Sequence, residues 1–266
     1  MAVASVNGID LAYELAGSGE RLVFLNGSGA TIEASRLVAA PFVEHFEVVM
    51  FDQRGLGSTT IPERVATMAD YAADVGGLMD HLGWESALVV GLSFGGMVAQ
   101  EFAVTSPERV TALALLCTSP GGEFSSFPLH ELEDLDPEER FLRYRSVLDE
   151  RFDEDWLNNH PVDAVIVSVL RRRGQVEKSP EQRRGERLQL EARRGHDVGD
   201  RLALVTAPTL VASGRFDGIA PPSNGRAIAD RVAGATLQLF DGGHMFMFQD
   251  PAAYPTVIAF LHEHAV

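Results

Sequence analysis

Ser86-Ala87-Leu88-Val89-Val90-Gly91-Leu92-Ser93-Phe94-Gly95-Gly96-Met97-Val98-Ala99-Gln100 is the stretch whose reading decides the fold. Residues 86–90 form a short apolar run of the kind that makes a buried strand. From Phe94 the chain reads as a helix that continues through Glu101, Phe102 and Ala103. Between the two stands a serine spaced from two glycines, the G-x-S-x-G pattern of a nucleophile elbow. The sharp strand-to-helix turn forces the serine into a strained backbone, and side chains at 91 or 95 would collide with the neighbouring strand and helix. The hydroxyl is held clear of the sheet. Beside it lies a helix N-terminus whose free N–H groups face any anion formed there.

Outward from this turn, strands and helices alternate. Residues 2–15 read as two strands about Asn7-Gly8, a strong hairpin signal. Next come an apolar run at 22–25 closed by Asn26-Gly27, a helix at 32–45, a strand at 47–51 and a helix at 68–82. The helix from Phe94 ends near Pro107 and a strand follows at 110–117. The later part repeats the scheme, with strands at 209–212 and 236–240 and helices at 222–232 and 251–264. This order predicts an α/β fold with a mostly parallel eight-stranded sheet, flanked by helices, after an antiparallel start. Residues 119–201 break the rhythm: apart from an ambiguous run at 162–170 they show no convincing strand and much helical charge patterning. The expectation is a core of 1–118 and 202–266, with 119–201 as a helical insertion over the sheet edge.

Bulk properties narrow the function classes. The 266 residues are 45% apolar, enough for a full core of one large domain. Mean hydropathy is near zero, as in soluble globular proteins. A net charge of −16 repels nucleic acid and anionic membrane surfaces. The arginine pairs and triplet at 171–173, 183–184 and 193–194 are interleaved with glutamates, so they read as a solvated helix face. The first basic residue is Arg21, after Asp10 and Glu14, and no apolar run is long enough to span a bilayer, so a cytoplasmic protein is expected. A single cysteine, Cys117, excludes an internal disulfide and reads as a small buried hydrophobe.

A serine hydroxyl needs a base, and the base needs an orienting acid. In open parallel sheets functional residues collect beyond the carboxyl ends of the strands. Asp217 follows the 209–212 strand and His244 follows the 236–240 strand, so Ser93, Asp217 and His244 stand in the chain order of a triad. The other seven histidines lie near helix ends, on the terminal helix or in the insertion. Asp241 competes for the acid role, but it shares the loop of the histidine. An oxyanion hole must present two N–H donors to the developing charge. Phe94, just after the nucleophile, offers one. The loop Asn26-Gly27-Ser28-Gly29-Ala30 offers the other, from Ser28, its small residues letting backbone approach a substrate.

With these residues assembled, the chain resembles the α/β-hydrolase superfamily over essentially its whole length. The segment Phe51-Asp52-Gln53-Arg54-Gly55-Leu56-Gly57-Ser58 resembles the family's D-x-R-G-x-G-x-S loop, and Ala207-Pro208-Thr209-Leu210-Val211 and Gly243-His244 also match. Within the superfamily it is most similar to small esterases, 3-oxoadipate enol-lactonases and cofactor-free haloperoxidases. Such proteins usually carry His-Gly where this chain has Asn26-Gly27, and asparagine keeps the capacity to hydrogen-bond and hold the loop.

The reading is a serine hydrolase of small carboxylic esters or lactones, acting through an acyl-enzyme. Its partner is a small-molecule substrate, with no metal and no cofactor, in a monomer or homodimer. Asn26, Gly27, Gly29, Phe124, Phe127, Trp156, Met245 and Phe246 are candidate pocket residues, core packing being the competing role for the aromatics. A haloperoxidase or perhydrolase, and a carbon–carbon bond hydrolase, would use the same triad. A ligand receptor on a hydrolase scaffold is the reading from another class.

Overall fold

Asn7 and Gly8 both adopt left-handed backbone, with φ of 48° and 75°. They join Ala2–Val6 (β1) to Ile9–Ala16 (β2) as a tight hairpin whose ends, Val6 and Ile9, pair. The computed structural model describes residues 1–265. After the hairpin come Arg21–Leu25 (β3), Ile32–Val43 (α1), Glu47–Phe51 (β4), Met68–His81 (α2), Ala87–Leu92 (β5), Phe94–Thr105 (α3) and Val110–Leu116 (β6). The chain closes with Thr209–Gly214 (β7) and its partner strand and helices. These strands form one sheet in the order β1-β2-β4-β3-β5-β6-β7-β8, where β8 is Thr236–Phe240. The β1–β2 and β2–β4 pairs are antiparallel and every later pair is parallel.

The central strands read as unbroken apolar runs because both faces of the sheet are covered. Along β5, Leu88 and Val90 pack on one face with Phe24, Phe42 and Phe240, while Ala87 and Val89 pack on the other with Val23, Phe94 and Phe102. Burying each large side chain of this kind contributes about 1.5–3 kcal/mol. The two packed layers hold the strand ends rigidly, and that rigidity fixes the loops beyond them.

Between β6 and β7 the chain forms Pro137–Leu148 (α4), Glu154–Asn159 (α5), Pro161–Gly174 (α6) and Pro180–Arg194 (α7), with no strand between them. The run at 162–170 is therefore helical, inside α6. Contacts from this insertion reach the loops after β3, β7 and β8. Gln189 meets Gly29, Val147 accepts from the Gly218 amide at 3.0 Å, and Leu148 accepts from the His244 amide at 2.6 Å. The helical insertion thus covers the carboxyl edge of the parallel strands. α7 starts with a capping box between Ser179 and Gln182, and buries Gly185, Gln189, Ala192 and Arg193. Those positions, spaced four, three and one apart, form one helical stripe. Arg193 therefore departs from the expected solvated face, while Arg171–Arg173, Arg183, Arg184 and Arg194 are exposed.

The terminal helix expected at 251–264 forms at Ala253–Glu263, and a short helical turn that the sequence reading did not mark precedes it. Pro222–Ala229 (α8) precedes β8, then Phe246–Gln249 (α9) and Ala253–Glu263 (α10) are separate. Asp250 precedes a proline, a position that disfavours helical backbone, and it is extended at φ −103° and ψ 115°. Its carboxylate accepts from the amides of Asp241 and Ala252 at 2.8 and 2.9 Å, pinning the break. Among the described residues no helix is long and apolar enough to cross a membrane.

Candidate active site

Ser93 sits between β5 and α3 with φ 54° and ψ −114°, a backbone strained for any residue with a side chain. A Cβ at Gly91 would stand 2.6 Å from the Gly95 carbonyl oxygen and 2.8 Å from Ala99 Cβ. One at Gly95 would overlap the Leu25 carbonyl of β3. The two glycines thus let α3 pack onto the strands with Ser93 at the bend. Two bonds hold the bend: the Ser93 amide donates to Leu116 at 2.8 Å, and Thr118 Oγ1 donates to the Ser93 carbonyl at 2.7 Å.

His244 Nε2 lies 3.0 Å from Ser93 Oγ, and its Nδ1 lies 2.8 Å from Asp217 Oδ2. A carboxylate only accepts, so Nδ1 carries the hydrogen and Nε2 is free to accept from the serine. The other Asp217 oxygen accepts from the amides of Ile219 and Ala220, each at 2.8 Å. Asp217 comes from the loop after β7, 1% exposed, and its carboxylate cannot swing away. His244 comes from the loop after β8, where its own amide is bonded to Leu148 of the insertion. Ser93 and His244 are 7% and 9% exposed, so the reacting atoms are shielded from bulk water. Asp241 points elsewhere, pairing with Arg151 at 2.8 Å. Cys117 Sγ lies with donor atoms of Asp217 and His244 inside a 4.8 Å cluster. Burial and the nearby Asp217 charge push its thiol well above its ordinary pKa.

The 26–30 loop lies directly over the serine: a Cβ on Gly27 would stand 3.6 Å from Ser93 Cβ. Asn26, 2% exposed, donates through Nδ2 to Ser35 Oγ of α1, and its carbonyl accepts from Gln53 Nε2 at 2.7 Å. Asp52, next to Gln53, takes the Ile32 amide at 2.7 Å and the Ser58 amide at 2.9 Å, tying the start of α1 to the 52–58 loop. The Gly29 amide donates to Gln189 Oε1 at 2.8 Å. Phe94 heads α3, where first-turn N–H groups have no intrahelical acceptor. Among the described residues the Ser28 amide, between Gly27 and the engaged Gly29, meets no acceptor.

The arrangement is a hydroxyl, an oriented imidazole and a buried carboxylate on strand-end loops of a parallel sheet. A family model for the alpha/beta hydrolase fold matches residues 20–251. The chain belongs to the alpha/beta hydrolase family. It is 30% identical, over 94% of its length and 96% of the other chain, to a protein of Mycobacterium tuberculosis that carries a non-heme bromoperoxidase name. It is 24% identical to 3-oxoadipate enol-lactonase 2 of Acinetobacter baylyi, over 92% and 90% of the two chains. Among solved structures, the enol-lactonase of Burkholderia xenovorans LB400 superposes with a TM-score of 0.80 at 25% identity, over 98% and 100% of the chains.

In this alpha/beta hydrolase the expected pocket residues divide. Asn26, Gly27 and Gly29 are at the site as described. Phe127 and Met245 pack against Val147, Leu148, Phe152 and Ile219 at the base of the insertion, and Trp156 joins the same cluster. Trp156 stacks on His160 at 3.6 Å and donates to Asp163, so it braces the insertion. Phe124 lies under the Arg231 guanidinium, 5.1 Å from it, by the α8 end. Phe246 is not a pocket wall: it is wholly buried in the core and stacks on Phe240 at 5.1 Å.

A cavity of about 300 Å³ lies over the 26–30 loop, its lining including Ser28, Gly29, Tyr144 and Leu190 beside the charged Glu133 and Arg140. Burial pushes the Tyr144 hydroxyl up to about 12, so it stays protonated; the nearby Asp217 and Cys117 act in the same direction and Arg193 opposes them. Tyr144 and Gln189 escaped the sequence reading. The only signal for Gln189 was a polar residue on the i, i+4 stripe of a charged helix, and Tyr144 carried none.

Proposed function

We propose that the protein is a serine hydrolase of small carboxylic esters or lactones, working through an acyl-enzyme. The observation that carries this reading is the chain of contacts from Asp217 through His244 to Ser93, at 2.8 and 3.0 Å, on a strained elbow. Ser93 Oγ attacks the substrate carbonyl carbon while Nε2 of His244 takes the hydroxyl proton. Asp217 holds the ring and stabilises the imidazolium. The oxyanion accepts from the Phe94 and Ser28 amides, each such donor contributing about 10²–10³ in rate. As the carbon–oxygen bond breaks, Nε2 returns the proton to the leaving alkoxide. Water then repeats the sequence on the acyl-enzyme and frees the acid and Ser93.

A fluorophosphonate should form a covalent adduct on Ser93, read by mass spectrometry, and short 4-nitrophenyl esters should be turned over. Absence of both overturns the reading; tight ligand binding by an unreactive protein would favour a receptor. A second reading is favoured by the relative with the bromoperoxidase name. Hydrogen peroxide in place of water would release a peracid, which oxidises bromide. Bromination that requires acetate and peroxide, faster than ester hydrolysis, is its signature.

A further inference from the structure

A second, smaller cavity of about 110 Å³ lies between the start of the insertion and the end of α7. Its polar lining includes Arg193, Arg194, His130, His196, Ser119 and Ser126, and no acidic residue lines it. In a chain with 38 acidic and 22 basic residues, that wall is against the composition. Three buried atoms there meet no protein partner: Arg193 Nε, Ser119 Oγ and His196 Nδ1.

Arg193 is 6% exposed, and its two terminal nitrogens donate to neutral acceptors, the Phe127 carbonyl at 2.9 Å and Ser126 Oγ at 2.8 Å. Among the described residues it has no ion pair. Asp217 contributes to its electrostatics, but the Asp217 oxygens are engaged by His244, Ile219 and Ala220. Buried charges are ordinarily paired, since the chain otherwise bears their desolvation uncompensated. Burial lowers this guanidinium to about 10, which leaves it charged at neutral pH. It is a cation prepared for an anion that the protein does not itself supply.

We propose that Arg193, Ser119 and His196 form a subsite for a small carboxylate, one turn of α3 from Ser93. The guanidinium edge and the Ser119 hydroxyl are donors suited to carboxylate oxygens. His196 Nε2 donates to the Ser119 carbonyl at 3.2 Å, so Nδ1 of the neutral ring accepts from a ligand hydroxyl or its hydration water. A cavity of this size holds about three to four waters' volume, room for a carboxylate. Met97 also lines it, one turn of α3 beyond Ser93, about 5–6 Å along the axis. That spacing fits an ester or lactone with a short acidic arm. The assignment of the anion to a substrate rests on the hydrolase reading above; the same chemistry would take a free small carboxylate.

The test compares 4-nitrophenyl hydrogen glutarate with 4-nitrophenyl valerate, and titrates the wild-type protein with glutarate by calorimetry. A substrate-borne carboxylate predicts a kcat/KM ratio of at least tenfold for the acidic ester, falling toward one in Arg193→Met. A free carboxylate instead predicts no such ratio, but valerate turnover that changes with added acetate in the wild type and not in Arg193→Met. Both sources predict saturable heat with glutarate, weakened at least threefold in Ser119→Ala, which serves if Arg193→Met does not fold. No heat with glutarate, no ester preference and no acetate effect overturn the subsite, as does a preference that survives in Arg193→Met. Failure of the wild type on both esters alongside glutarate heat would instead remove the hydrolase reading and leave the subsite standing.

Discussion

Gln189 of α7 accepts the amide hydrogen of Gly29 at 2.8 Å, so the insertion fixes the backbone of the loop over Ser93. Gln189 is wholly buried, and its side chain crosses from the helical layer to the core. The bond also removes one amide of that loop from the candidates for an oxyanion donor. With Gly29 engaged, Ser28 and Phe94 carry the amides that the proposed mechanism assigns to the oxyanion, and the insertion helps hold that loop as well as cover it.

Gln189→Met keeps the side-chain length and removes the acceptor. It is expected to lower kcat for 4-nitrophenyl esters about 10-fold, about 1.4 kcal/mol, while KM moves less than threefold. Steady-state kinetics decide it. A wild-type kcat would mean that the loop keeps its geometry without the insertion.

His244→Ala removes the proposed base and should reduce kcat/KM by about 10³-fold or more. His262→Ala is the control: His262 lies on α10 beside Phe46 and His45, at 4.7 Å and 5.3 Å between ring centres, far in the fold from the strand-end loops. Its activity should stay within about twofold of wild type. Equal losses in the two variants would show that another group is the base.

The elbow was legible because its constraints are local: Gly91, Ser93 and Gly95 are dictated by one turn, and the flanking runs reveal strand and helix. Asp217 and His244 were legible because each follows an apolar run that must be a strand. Gln189, Tyr144 and Arg193 were not, since α7 carries charge around its circumference and only docking decides which residues turn inward. Arg193 looked solvated for that reason. Phe246 misled in the opposite way, since an aromatic two residues past His244 is near the site in sequence while the turn of α9 carries its ring into the core. The break at Asp250 had a visible cause in Pro251, yet its anchoring to Asp241 is a contact between loops that periodicity does not carry.

Gly95→Ala should be strongly destabilising although it adds one methyl group. The added Cβ would overlap the Leu25 carbonyl and crowd the Asn26 carbonyl at 2.7 Å, backbone atoms that cannot rotate aside. Overpacking of this kind costs about 1–3 kcal/mol and more where backbone must move. Urea unfolding should show the unfolding free energy lowered by that amount, and the midpoint with it, with kcat reduced because the displaced strand carries the 26–30 loop. A midpoint equal to wild type would mean that α3 and β3 are not held together as described.

His196 gives stability a pH dependence of defined sign. Burial lowers its pKa from 6.5 to about 4; the Ser119 carbonyl, Glu101 and Asp197 oppose the shift and Arg201 reinforces it. At pH values above 6.5 the ring is neutral in both folded and unfolded chains, and its contribution to stability is fully present. As pH falls below 6.5 the unfolded chain binds a proton that the folded one does not, so stability drops until about pH 4, where both are protonated. Integrated from pH 7 to pH 5, the loss is about 2 kcal/mol. His196→Gln cannot titrate, so its unfolding free energy should fall by about 2 kcal/mol less than that of the wild type over the same interval. Urea melts of both proteins at pH 7 and pH 5 supply the comparison, and parallel losses would place the acid sensitivity in other groups.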